Sequence, residues 1–110
     1  MPTVTQELEA DCLNVEHIAQ RFLKTTMVND EDYILLFGFL EQLKKHLKAQ
    51  PLPCKTTIQE FNEDTLSLKY LHQKEGELAL VNRQFRNVLV QILKQVNIFK
   101  RDLALIQRKK

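Results

Sequence analysis

The chain has 110 residues, 44% hydrophobic, 27% charged and 7% aromatic, with two glycines, three prolines and no tryptophan. That composition excludes disorder as the default and leaves room for one domain, 1–110. So few turn-formers exclude a many-stranded sandwich or barrel, while 18 leucines and 10 glutamines lean towards helix.

The net charge of +2 hides an asymmetry: residues 1–32 carry −5, residues 33–82 balance, and residues 83–110 carry +7. The first nine residues are polar and acidic, unlike a secretory signal. The longest apolar run, Tyr33 to Leu40, has eight residues. A membrane span needs about 20, so no span is expected. Cys12 and Cys54 lie 42 positions apart with no Cys-x-x-Cys, as expected of thiols in a reducing compartment. Cytoplasm or nucleus is the expected location.

The first segment spans about 3–24. Thr3 and Gln6 have capping-box spacing, and Leu8, Cys12, Val15, Ala19 and Phe22 share one helical face. Thr25 to Asn29 reads as a connection. The second segment spans about 30–49. Asn29 or Asp30 caps it, acids lead, lysines follow, and Tyr33, Leu36, Leu40, Leu43 and Leu47 form its apolar stripe. Gly38 reads either as a point of close approach or as a tolerated residue. Pro51-Leu52-Pro53 ends the segment, and Thr57 and Glu60 have capping-box spacing for the next one.

From 57 to 109 no proline interrupts. A heptad register places Phe61, Leu68, Glu75, Asn82, Leu89, Val96 and Leu103 at a, and Asp64, Leu71, Leu78, Phe85, Ile92, Phe99 and Ile106 at d. From Phe85 to Ile106 the seam is unbroken, as in a coiled coil. The phase runs through Gly76 without a shift, which favours one long helix. A helix of about 52 residues would span roughly 78 Å, beyond the reach of a hairpin of roughly 30 Å. The expected fold is therefore all-α: an antiparallel helical hairpin packed on a long C-terminal helix with coiled-coil heptads. The alternative is an up-down four-helix bundle with a turn at Gly76, where glycine would serve as a left-handed cap.

Under the first reading Leu78, Phe85, Leu89, Ile92, Val96, Phe99, Leu103 and Ile106 form an interface for a partner helix, in a homodimer or a heteromeric complex. Asn82 would fix its register. Arg83, Arg86, Lys94, Lys100, Arg101, Arg108 and Lys109 share the side opposite the seam. That basic face is either solvated or meets an acidic surface. Contact with nucleic acid there would be to phosphate and salt-sensitive.

No nucleophile elbow, Walker loop, Gly-rich cradle or His-Glu-x-x-His occurs. His17, His46 and His72 read as surface residues. No catalytic, cofactor-binding or metal-ligating residue is assigned, and no cofactor is expected. The expected function is a non-enzymatic scaffold or adaptor subunit that assembles with protein partners through the seam. Such shapes are common in cytoskeletal, kinetochore, ciliary and trafficking complexes, an analogy of form alone. The alternatives are a compact four-helix binding module and a dimeric nucleic-acid binder.

Overall fold

The computed structural model describes residues 3–108, and these are almost entirely helical. Four helices follow one another: α1 (Val4–Lys24), α2 (Asp30–Ala49), α3 (Lys55–Glu75) and α4 (Arg83–Arg108), with a short 3-10 helix, Gly76–Val81, between the last two. Helix α1 packs against α2 and α4, and α3 packs against α4 and more lightly against α2. The result is an up-down bundle measuring 45 × 28 × 21 Å.

The N-terminal hairpin forms where its signals place it. Thr3 Oγ1 accepts from the Gln6 backbone N–H at 3.1 Å, while Gln6 Oε1 accepts from the Thr3 backbone N–H at 3.0 Å. Asn29 and Asp32 make the same reciprocal pair at the start of α2, at 3.0 and 3.1 Å. Asp32 is also held by Arg21, at 3.1 Å. Nothing lies within 4 Å of a Cβ built on Gly38, so no backbone approaches there.

Helix α3 starts earlier than its Thr57-Glu60 spacing predicts. The Cys54 carbonyl already accepts from the Ile58 N–H at 3.0 Å, so Thr57 falls inside the first turn and caps nothing.

The single long helix over 57–109 is not formed. Gly76 has φ 63° and ψ −138°, a conformation open to glycine and costly for a residue with a Cβ. Tyr33 fixes the turn from outside. Its hydroxyl donates to the Glu77 carbonyl at 2.8 Å and accepts from the buried Leu80 N–H at 2.9 Å. Asn82 then opens α4, its Oδ1 accepting from the Gln84 and Phe85 N–H groups at 2.8 and 3.3 Å. Asn82 is thus a helix cap and not a register device in a seam.

Because α4 folds back, the seam closes inside the chain. Phe85, Leu89, Ile92, Val96 and Phe99 are fully buried and Leu103 is 2% exposed. Phe85 lies 6.4 Å from Phe22 and 6.1 Å from Tyr33 between ring centres. At the other end Phe99 meets Phe61 edge to face at 5.5 Å. Ile106 is half-buried, and Leu78 sits in the 3-10 helix, 68% exposed. The polar breaks in the heptads also find internal partners. Asp64 accepts from the buried Gln95 amide at 2.7 Å, and Glu75 accepts from Asn82 Nδ2 at 3.4 Å.

Candidate interaction surface

The α1–α2 connection and the 3-10 helix lie side by side at one end of the bundle. Met27, Val28 and Asn29 line a shared hollow with Arg21, Asp32 and Glu77. Arg86 ties α4 into the same end: its guanidinium donates to the carbonyls of Phe22 and Thr25, both at 3.5 Å, and of Leu23. These are the open carbonyls at the end of α1, so Arg86 acts as a cap for another helix.

At this end large apolar side chains stand in water. Met27 is 84% exposed, Ile34 69%, Leu78 68% and Val81 58%. The connection between α2 and α3 behaves oppositely, for it buries Leu52 in the core. A turn that needs only to reverse the chain has no use for Met, Leu and Val on its outer side. Fully burying four such groups is worth on the order of 6–12 kcal/mol, an upper figure. Met27 adds an unbranched, adaptable side chain suited to a contact surface.

The predicted interface residues are not on this surface, Leu78 excepted. The sequence does contain the signal. Met27-Val28 interrupts a polar connection, and Leu78 and Val81 flank the buried Ala79-Leu80 pair. Read as heptads, Leu78 takes a d position and Val81 sits beside the register, so neither stands out as surface.

The basic face divides in two. Arg86 and Lys100 are half-buried and serve α1, the latter through Glu16 at 3.0 Å. Arg83, Lys94, Arg101 and Arg108 are exposed. Lys109 lies outside the described residues.

The histidines are more engaged than surface residues would be. His46 on α2 bridges two carboxylates of α1, Asp11 through Nδ1 and Glu7 through Nε2 at 3.2 Å. His72 stacks on Tyr33 at 4.3 Å. Only His17 is exposed. Among the described residues no group of three or more His, Cys, Asp or Glu is placed to hold a metal ion.

Both cysteines are free thiols. Burial pushes Cys12 up to about 12, with Asp11 adding to the effect. Cys54 is also pushed up to about 12, by burial and then by its hydrogen bond to Asp102. Neither becomes a thiolate near neutral pH, so neither is an activated nucleophile. Among the described residues no helix is long and apolar enough to cross a membrane.

No known family, no curated protein and no solved structure matches this chain.

Proposed function

We propose that the chain is a non-enzymatic helical adaptor, a subunit that docks a protein partner at the bundle end bearing Met27, Ile34, Leu78 and Val81. The observation that supports this is their joint exposure at the one end where two connections meet. Large apolar side chains left in water on a closed bundle mark a contact site when they gather at one end. The C-terminal seam has no part in it, since the chain's own core takes it up. The free thiols suit a reducing compartment, cytosol or nucleus.

A photo-crosslinking side chain at position 27 or 78, in cells that make the protein, is expected to give discrete adducts with a protein partner. The same group at the exposed position 60 is expected to give none. The double variant Met27→Ser, Leu78→Ser is expected to lose that partner while its stability changes by no more than about 0.5 kcal/mol, as for other exposed sites. Equal adducts from position 60, or a partner retained by the double variant, would contradict the reading.

A further inference from the structure

Helix α4 carries an ordered row of charge on its outward face. Arg83, Lys94, Arg101 and Arg108 are exposed, and among the described residues none of the four has an ion-pair partner. Lys94, Arg101 and Arg108 are seven residues apart, which is two helical turns, so the charges recur about every 10.5 Å along a straight line. Arg83 lies three turns before Lys94 on the same line. Between them the face shows Asn87, Val90, Asn97 and Leu105 and no acid. The helix's one carboxylate, Asp102, is half-buried beside Cys54.

Next to this row, where α4 meets α1, Leu13, Leu103 and Ala104 floor a cavity of about 130 Å³ walled by Glu9, Lys100 and Gln107. That is room for one aliphatic side chain. Of the two α1 acids on this flank, one is neutralised by a base and the other is hydrogen-bonded but keeps its charge. Glu9 accepts from Gln107 at 3.1 Å, and Glu16 pairs with Lys100 at 3.0 Å.

We propose that this face receives an acidic amphipathic helix of a partner protein. The helix lies along α4, sets carboxylates at seven-residue intervals against Lys94, Arg101 and Arg108, and places one aliphatic side chain in the α1–α4 cavity. This is a second contact surface, distinct from the bundle end, and it rests on the adaptor reading only in taking a protein as its ligand.

Spacing decides the class of partner. A helix repeats its side chains every two turns along a line, at the same 10.5 Å or so. Phosphates three apart on a duplex have instead turned by roughly 100° around its axis, so a straight row of bases loses them. The row also has no exposed aromatic on which bases would stack. A membrane-surface helix needs a wide apolar face towards lipid, and α4 turns that face into the core.

The test uses the whole chain and a synthetic helical peptide with glutamate at every seventh position and leucine between, read by fluorescence anisotropy at low salt. Its glutamine-for-glutamate counterpart is the control. Saturable binding of the acidic peptide is expected, at least tenfold tighter than the control. Lys94→Glu with Arg101→Glu is expected to weaken it at least tenfold without changing the circular dichroism spectrum. If that reversal disturbs folding, Lys94→Gln with Arg101→Gln is measured instead, and a weakening of at least threefold is expected. Phosphatidylserine vesicles and duplex DNA are expected not to displace the peptide. No saturable binding, equal binding of the glutamine peptide, indifference to the substitutions, or displacement by DNA or vesicles overturns the proposal. Each of these outcomes leaves the crosslinking result at Met27 and Leu78 standing, so the two surfaces succeed or fail separately.

Discussion

Replacing Phe99 with alanine is expected to lower the unfolding free energy by about 3–5 kcal/mol, and by the same amount at every chain concentration. Phe99 is fully buried and meets Phe61 edge to face at 5.5 Å. Removing its ring leaves a cavity between α3 and α4 and ends an aromatic pair worth about 0.5–1.5 kcal/mol beyond burial. A domain of this size has a net stability of about 5–15 kcal/mol, so the variant keeps little of it. Concentration carries the discrimination. If Phe99 packed against a second chain, the denaturation midpoint would rise with protein concentration. A urea titration at two concentrations a hundredfold apart checks this. A loss below about 1 kcal/mol, or a midpoint that moves with concentration, would contradict internal packing.

Gly76→Ala is expected to destabilise the chain, by about 1–3 kcal/mol. A Cβ built there meets nothing within 4 Å, so the cost is conformational and not steric crowding. The backbone sits at φ 63°, where alanine is strained. In a continuous helix the same change would stabilise by about 1 kcal/mol, because alanine is the better helix former. The sign therefore separates a turn from an unbroken helix. Gly38→Ala is the internal control. It lies within α2, exposed, with open space around it, and is expected to stabilise by about 0.5–1 kcal/mol. Opposite signs for the two glycines, read from denaturant midpoints, are the predicted pattern. Stabilisation by both would restore the long helix.

The N-terminal hairpin was legible because its signals are local. Reciprocal caps at Thr3 and Asn29, a connection at Thr25, and a proline pair after Ala49 each act over a few residues. The break at Gly76 was legible only as an ambiguity, for a reason in helix geometry. Periods of 3.5 and 3.6 residues drift apart by about 20° per heptad. Over the 21 residues of α3 or the 26 of α4 that drift stays within the width of an apolar stripe. Two amphipathic helices joined by six residues of 3-10 helix can then mimic one heptad run. The polar positions carried the better signal. Glu75 and Asn82 flank the turn and bond each other across it, and Asp64, midway along α3, serves the α3–α4 contact. A seam meant for a partner helix has no reason to place them so.

The surface was harder to read than the core. Arg86 and Lys100 look like members of a basic face until the fold brings α1 against α4, and then they cap or pair with it. His46 joins two carboxylates 35 and 39 residues earlier in the chain, a juxtaposition no spacing rule reveals. Met27 and Leu78 are 51 positions apart in the sequence and come to the same end of the bundle only because both connections fall there.

The C-terminal seam closes within the chain, with Phe85 to Leu103 in its core. Small-angle X-ray scattering behind size exclusion, across a range of concentrations, checks this closure. One 13.0 kDa particle is expected, with a radius of gyration near the 14.0 Å of the Cα trace, enlarged only by side chains and hydration. A particle of twice that mass, with a maximum dimension approaching the roughly 78 Å of an unbroken third helix, would contradict it.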